Sequence, residues 1–227
     1  NSYSEFYVSS NGLVTFGTGS SASVETTIPD PSLPNNLIAA FWDDLVVDAM
    51  GNILYKTIGA APNRKLIIQF RNMGFYPSPV YMGTFSVILY ETTNKIQIQY
   101  RLIVLKNNDL AKGGSATIGI ENSDGSAGVL YKYHDPTAVS TSKAVSFSPS
   151  GLTYSLDTNA VYDGIYLTTN LSLPEPAISY LISPADEAVV GINNTFSWSE
   201  AEFGSNYTLR ISNSPVMAFA TSYNAGS

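Results

Sequence analysis

A period-two alternation of apolar and polar residues recurs through the first 150 residues of the chain. Its clearest examples are Leu66-Ile68-Phe70, Phe85-Val87-Leu89 and Ile96-Ile98-Tyr100. Short polar turns separate these stretches, and Asn11-Gly12 between two apolar runs is a strong β-hairpin signal. No stretch shows a sustained helical period with caps. The pattern therefore predicts an all-β chain whose first domain is an antiparallel β-sandwich.

The segment Ile38–Leu45 (Ile-Ala-Ala-Phe-Trp-Asp-Asp-Leu) is predicted to form the nucleus of this sandwich. Its Phe-Trp pair brings a large apolar area into the core. Asp43 and Asp44 are expected to end the buried run, because unpaired charges are costly inside a protein. The Gly51-Asn52 pair suits a turn that would return the chain as a partner strand.

Eight apolar side chains are expected to be mostly buried between the two sheets. They are Phe41, Trp42, Phe70, Phe85, Val87, Ile96, Ile98 and Ile118.

Two domains are expected. The first spans residues 1–173 and includes a trailing strand at 165–168. The Pro-x-Pro sequence at 174–177 predicts a stiff extended linker. Residues 178–227 are expected to form the second domain.

The composition excludes several classes of function. The net charge is −7 and only 13% of residues are charged, which argues against nucleic-acid binding. Without cysteine there are no disulfides and no thiolate metal site, and a single histidine excludes the usual zinc sites. No apolar run in this segment is long enough to span a bilayer. The uncharged, Tyr-, Thr-, Ser- and Asn-rich balance is common in extracellular β proteins, so we expect an extracellular or cell-surface location.

Two family resemblances extend this interpretation. The first is carried by Val8–Gly17, Ile38–Leu45, Gly51–Tyr55, Gly83–Glu91 and Gly113–Asn122. These motifs resemble, in order, a nidogen-like β domain, a module of secreted and surface proteins. Residues 178–227 resemble the first half of a fibronectin type III or related Ig-like module, carried by Thr195–Ser199 and Tyr207–Ser212.

Both resemblances imply extracellular scaffolding, adhesion or display, and neither implies catalysis. The expected partners are other surface or matrix proteins, or copies of the chain itself. A fibronectin-like sandwich needs about 100 residues, so the second domain is expected to be incomplete. Either the chain is a fragment of a longer one, or a partner strand completes the sheet by β-strand addition.

An acidic cluster offers a candidate metal site. Asp43, Asp44 and Asp48, with Asn52 nearby, could supply oxygen ligands to Ca²⁺. The cluster lacks the ordered spacing of known calcium loops, and capping or turn hydrogen bonds are the alternative. No other cofactor is expected. The stretch Asn122–Gly125 has the same ambiguity and is better explained as a β-turn.

Aromatic residues mark a candidate contact surface for a sugar or a protein partner. Phe75, Tyr76 and Tyr81 belong to a loop rich in aromatic residues and proline. Such a loop can stack on a ligand, or it can cap the end of a sandwich, and we favour the structural alternative.

Other chemistry-bearing residues have simple explanations. His134 next to Asp135 could form an acid–base pair, but no nucleophile motif accompanies it, so we favour a structural loop histidine. Asn170, Asn193 and Asn206 stand in N-glycosylation sequons, for which chance occurrence is the alternative.

The sequence predicts a non-enzymatic extracellular structural or adhesive module of a larger surface or fibre-forming protein. The alternative is a carbohydrate-binding accessory domain of a secreted hydrolase. An enzyme in its own right is the third alternative.

Overall fold

A computed structural model describes residue 3 and residues 5–77, 81–104 and 108–168, with only the backbone at 48 and 49. Beyond residue 168 it describes the backbone of four short strands. The chain divides into two compact units, Asn1–Leu167 and Thr168–Ser227.

The first unit contains two antiparallel sheets arranged as a sandwich, so the all-β prediction is confirmed. Sheet A has the order β1-β2-β3-β8-β9, and sheet B has the order β11-β10-β7-β6-β5-β4. The strands of sheet A are β1 (Tyr7–Ser9), β2 (Leu13–Thr15), β3 (Leu37–Trp42), β8 (Thr117–Glu121) and β9 (Gly128–Tyr133). The strands of sheet B are β4 (Leu45–Ile58), β5 (Lys65–Phe75), β6 (Tyr81–Tyr90), β7 (Ile96–Ile103), β10 (Lys143–Ser150) and β11 (Thr153–Asp157). A 3₁₀ turn, Leu110–Lys112, lies between β7 and β8.

In the second unit, the described backbone forms two antiparallel pairs. They are β12 (Leu181–Ser183) with β13 (Ser197–Trp198), and β14 (Tyr207–Ile211) with β15 (Thr221–Ala225). The predicted linker at 174–177 lies outside the described residues.

The Asn11-Gly12 hairpin is confirmed, and it explains why residue 12 is glycine. Gly12 has a φ of 77°, and a Cβ there would lie 1.9 Å from the carbonyl oxygen of Phe41. The Gly12 carbonyl accepts hydrogen bonds from the N–H groups of Ala40 (2.9 Å) and Phe41 (3.5 Å). Gly12, which directly precedes β2, therefore faces two residues of β3, and this is the pairing of a β-bulge.

This bulge determines where the Phe-Trp pair points. Ala40 and Phe41 both pack in the core between the sheets, although they are consecutive. Trp42 therefore turns to the outer face of sheet A, where it packs against Leu13 and Leu37. The prediction that Trp42 lies between the sheets is wrong for this reason. Of the other seven predicted core residues, six are buried and Ile96 is partly buried.

The predicted turn at Gly51-Asn52 is also wrong, because β4 continues through it. The chain leaves β3 at Asp43-Asp44 and crosses from sheet A to sheet B, so β3 and β4 are not partner strands. Gly51 lies where β4 bulges against β5. A Cβ at Gly51 would lie 2.6 Å from the Asn72 carbonyl oxygen, so close backbone approach requires glycine here.

A segment without regular structure covers the outer face of sheet A. This β2–β3 loop (residues 16–36) lays Ile28 over the sheet, and Ile28 is 4% exposed. Gly119 and Gly128 make room for it, since a Cβ at either glycine would lie 3.1 Å or 2.4 Å from an Ile28 side-chain carbon. Trp42 Nε1 also donates to the Ala22 carbonyl of the loop at 3.0 Å.

A second such segment, residues 160–167, crosses the outer face of sheet B and is here called the strap. Gln69 Nε2 donates to the Leu167 carbonyl at 2.8 Å, and the Leu167 N–H donates to Gln69 Oε1 at 2.9 Å. The strap is not a strand, so the predicted trailing strand at 165–168 is wrong. Because the strap covers this face, Gln69, Gln97 and Gln99 are buried rather than exposed.

Candidate ligand-binding cleft

A cleft of about 670 Å³ opens at one end of the sandwich, where the β6–β7, β8–β9 and β10–β11 turns lie. Both sheets contribute to it. Its lining consists of Tyr3, Phe16, Asn36, Leu37, Ile38, Leu89, Tyr90, Asn94, Lys95, Ile96, Ile120, Glu121, Asn122, Ala127, Gly128, Val129, Leu152, Thr153 and Tyr154. A volume of this size is within the range of small-molecule binding sites.

The floor of the cleft is the end of the core itself. Ile38 and Ile120 come from the inner face of sheet A, and Leu89 and Ile96 come from that of sheet B. Leu89 and Ile96 pack against the core but remain partly exposed. The cleft thus exposes an apolar surface that the folded chain leaves incompletely covered.

Aromatic rings stand on both sides of this floor. On the side of sheet A, the rings of Tyr3 and Phe16 are tilted against each other with centroids 4.8 Å apart. On the side of sheet B, Tyr154 of β11 packs against the core, and its hydroxyl donates to the Asn94 carbonyl at 3.4 Å. A ligand in the cleft would have aromatic surface on two sides.

Asparagines at three separate positions surround the mouth. Asn36 Oδ1 accepts from the Tyr3 hydroxyl at 3.0 Å, and its Nδ2 donates to the Phe16 carbonyl at 2.9 Å. Asn122 holds its own turn, since its Oδ1 accepts from the Ala127 N–H at 3.1 Å. Asn94 adopts a φ of 52°, which asparagine tolerates better than most residues. These bonds fix the mouth before any ligand binds.

The two charged residues of the lining each contact a neighbouring group of the protein. Lys95 Nζ lies 4.5 Å from the centroid of the Tyr90 ring. Glu121 Oε1 accepts from the Asp30 N–H at 2.6 Å, and burial raises the pKa of this carboxyl group. The cleft therefore presents mainly apolar and uncharged polar groups.

The opposite end of the sandwich contains the aspartates of the candidate metal site. Asp43 is buried, contrary to the expectation that it would end the buried run. Its Oδ2 accepts from Ser115 Oγ at 2.5 Å, and its Oδ1 accepts from the Asp44 N–H at 2.8 Å. Burial raises the pKa of Asp43, and the hydrogen bond from Ser115 opposes that shift. Both carboxylate oxygens thus serve local structure.

Asn11 connects this network to the covering loop. Its Nδ2 donates to the carbonyls of Ser21 (3.1 Å) and Ala22 (3.2 Å), and its Oδ1 accepts from the Leu45 N–H. Among the side chains that the structure describes, no three His, Asp or Glu residues are grouped closely enough to hold a metal ion. The side chain of Asp48 is outside the description, so the Ca²⁺ site stays a prediction.

The three aromatic residues predicted as contacts differ in their surroundings. Phe75 lies in β5 and packs against the core, with its ring 6.3 Å from that of Phe41. Tyr76 is 65% exposed. Tyr81 lies in β6 and shares a hydrogen bond with Thr84 Oγ1 at 3.3 Å. Their role in binding stays a prediction.

His134 is paired with a residue that the sequence did not suggest. Its Nε2 lies 2.7 Å from Glu25 Oε1, and its ring stacks on Tyr133 at 3.9 Å. Asp135 instead binds Lys132 Nζ at 2.6 Å, and this contact is the main reason that its pKa is lowered to about 2. His134 thereby fixes the β2–β3 loop against the end of β9. Asn170, Asn193 and Asn206 lie outside the described residues.

Sequence reasoning missed the cleft because its residues come from many separated stretches. In the sequence, Asn94 and Asn122 have the pattern of turn residues and nothing more. Turns at the same end of a sandwich lie close together in space. Which turns share an end becomes clear only when the strand order is known.

Comparison with known proteins gives one result. The family model described as NIDO related matches residues 1–158. A search of curated proteins and a search of solved structures each returned no match. In the described part of the chain, no helix is long and apolar enough to cross a membrane. The match ends before the second unit and gives no support to its fibronectin-like interpretation. It covers well over half of the sequence and nearly all of the first unit, and so the chain belongs to the NIDO-related family.

Proposed function

We propose that the chain is a non-enzymatic extracellular module of a larger surface or fibre-forming protein, which makes adhesive contacts through the cleft end of its sandwich. Membership of the NIDO-related family supports the location, because domains of this family are typically extracellular. The second unit belongs to the proposal as a partial fibronectin- or Ig-like module, on the strength of its sequence motifs.

One observation carries the proposal, and it is the position of the cleft. The β2–β3 loop covers the outer face of sheet A and the strap covers that of sheet B, whereas the cleft exposes apolar surface at an end formed by turns. Binding residues commonly lie on loops that a rigid scaffold holds in place. Partly exposed apolar surface in a concavity is the usual form of a binding site.

The described contacts of two residues that the sequence offered for chemistry, His134 for catalysis and Asp43 for metal binding, favour a structural role. His134 binds Glu25 of the covering loop, and both oxygens of Asp43 accept local hydrogen bonds. These groups are used to hold segments of the fold together.

Adhesion can be tested with beads that carry residues 1–227. The beads should bind the source cells or their extracellular matrix, and antibodies against the first unit should label intact cells. Leu152→Arg should abolish bead binding, since Leu152 lines the cleft and is fully exposed, so that arginine obstructs the cleft without disturbing the core. Val24→Arg is the matched control, because Val24 is 78% exposed and is not part of the cleft.

Two results would contradict the proposal. One is bead binding by the Leu152→Arg variant equal to that of the unchanged protein. The other is turnover in protease, esterase or glycosidase screens that disappears in a His134→Ala variant.

A further inference from the structure

We infer that the cleft binds an uncharged saccharide, held between its aromatic sides and its asparagine-lined mouth. This inference rests on the proposed function and names the ligand class of the same site.

The aromatic surface suits one face of a sugar ring. A pyranose presents a face of C–H groups, which carry small positive charge, and aromatic faces are negative. The Tyr3–Phe16 pair stands on one side of the cleft and Tyr154 on the other. The apolar floor beneath these rings, which includes Leu89 and Ile96, would also contact the C–H face of the sugar.

The mouth suits the hydroxyl groups at the edge of the ring. A hydroxyl group both donates and accepts hydrogen bonds, and the carboxamide of asparagine offers both functions in one plane. Asn36 and Asn122 are already fixed by hydrogen bonds to neighbouring residues, which lowers the entropy lost on binding. Thr153 adds an exposed hydroxyl group at the same mouth.

The electrostatics favour a neutral ligand. Lys95 is held over the Tyr90 ring, and Glu121 accepts the hydrogen bond from Asp30. A uronic acid or sulfated sugar would meet the Glu121 carboxyl group as well as the Lys95 ammonium group, so no net positive charge offsets the hydration that it would lose in the cleft.

The strand arrangement disfavours a peptide added to a sheet. Such a peptide needs a free strand edge beside the cleft. The two edge strands that border the cleft, β9 and β11, have Cα atoms within 8 Å of each other, which is too close for a further strand to fit between them, since paired strands lie about 4.8 Å apart. A saccharide needs no such edge.

The test is binding of residues 1–227 to an immobilised array of neutral and acidic oligosaccharides, followed by calorimetry with the neutral sugars retained. Binding should be nearly independent of salt, because no ion pair is formed. Leu152→Arg should prevent binding. Asn94→Gly allows the positive φ but removes the side-chain carboxamide. It should weaken binding about tenfold, because a factor of ten corresponds to the loss of one hydrogen bond to the ligand.

Matched controls separate loss of binding from loss of folding. Val24→Arg and Tyr55→Leu alter exposed residues outside the cleft and should bind like the unchanged protein. Thermal unfolding of every variant shows which of them remain folded, and Leu152→Arg keeps the test decisive because residue 152 is fully exposed.

The outcomes distinguish this inference from the proposed function. If Leu152→Arg stops bead adhesion but no neutral glycan binds, the adhesive site is correct and the saccharide inference is wrong. Salt-sensitive binding of acidic glycans, or displacement of bound sugar by apolar peptides, would also overturn it. If bead adhesion survives Leu152→Arg, the proposed function itself fails.

Discussion

The outer faces of the two sheets are covered in different ways. On sheet A, the β2–β3 loop buries Ile28 against Leu13, Leu37 and Trp42, and hydrogen bonds from Asn11, Trp42 and Thr117 to its carbonyl groups add to this apolar contact. On sheet B, the strap buries Leu167 against Ile67 and Ile88. The strap is also held by hydrogen bonds from glutamines, since Gln97 Nε2 donates to the Val161 carbonyl at 2.7 Å and Gln99 Nε2 donates to Asp163 Oδ1 at 2.6 Å. In addition, the Arg101 guanidinium carbon lies 4.0 Å from the centroid of the Tyr166 ring, and Lys65 Nζ lies 3.7 Å from Asp163 Oδ2.

This difference teaches that the two covers of one sandwich need not be equally strong. Full burial of a large apolar side chain contributes about 1.5–3 kcal/mol. A hydrogen bond within a protein contributes about 0.5–1.5 kcal/mol net, because water competes for the same groups. The loop is also fixed at both ends by β2 and β3, whereas only β11 fixes the strap before the second unit begins. We therefore expect the strap to be the weaker cover.

The largest expected effect comes from removing the aromatic anchor of the loop. Trp42→Ala should lower the free energy of unfolding by about 3–5 kcal/mol, the usual cost of emptying a buried aromatic site. It also removes the donor to the Ala22 carbonyl. Denaturant unfolding measures the change, and amide hydrogen exchange should show that residues 20–28 open more often. Tyr76→Ala is the control, because Tyr76 is 65% exposed and its loss should change stability by less than about 0.5 kcal/mol.

A smaller effect is expected when the strap is loosened. Gln69→Ala removes both hydrogen bonds to Leu167 and should lower the free energy of unfolding by about 1–2 kcal/mol. The strap can rise into water, so hydrogen exchange should increase at 161–167 while the core of sheet B stays protected. A loss as large as that of Trp42→Ala would show that the two covers are equally strong and would refute the comparison.

The smallest effect concerns pH, at the network that anchors the loop of sheet A. The pKa of Asp43 is raised by burial above its ordinary value of 3.8, so the folded protein holds this proton more tightly than the unfolded chain. The contribution of Asp43 to stability therefore falls as pH rises from about 3.8 through the raised pKa, and stays reduced above it.

Asp43→Asn should remove this part of the pH dependence, and urea unfolding between pH 3 and pH 8 measures it as a difference between the two proteins. Glu91 acts in the opposite sense, because Arg64 lowers its pKa to about 2, and that contribution is lost as pH falls from 4.5 towards 2. The contribution of Glu91 is the same in both proteins, so it cancels when the stability of one is subtracted from that of the other. Parallel curves for the two proteins would show that Asp43 does not titrate in this window.

Much of the first unit could be predicted from sequence, because its strands carry local signals. The alternation in β5, β6 and β7 and the Asn11-Gly12 turn are such signals, and the structure confirms them. Gly51 shows the limit of this reasoning. A glycine required by close approach to a neighbouring strand looks the same in sequence as a glycine in a turn. The strand pairing decides between them, and that pairing is not local.

The covers and the cleft could not be predicted for a related reason. Gln69, Gln97 and Gln99 occupy the alternating polar positions of exposed strands, yet the strap buries them and bonds to their amides. Ile67 was the one local sign, since an isoleucine on a polar face suggests that something covers that face. Likewise, turn asparagines such as Asn94 show their common location only once the strand order is known.

The strap also determines how the first unit responds to mechanical tension. Its hydrogen bonds follow one another along the chain, at Val161, Asp163 and Leu167. A pull on the chain beyond Thr168 loads the Gln69–Leu167 pair first, then the contact of Tyr166 with Arg101, and reaches Asp163 and Val161 only after these have broken. Bonds loaded in sequence yield at lower force than bonds loaded together. The strap would therefore peel away and lengthen the tether by eight residues, while the strands of the sandwich remain paired and unstretched.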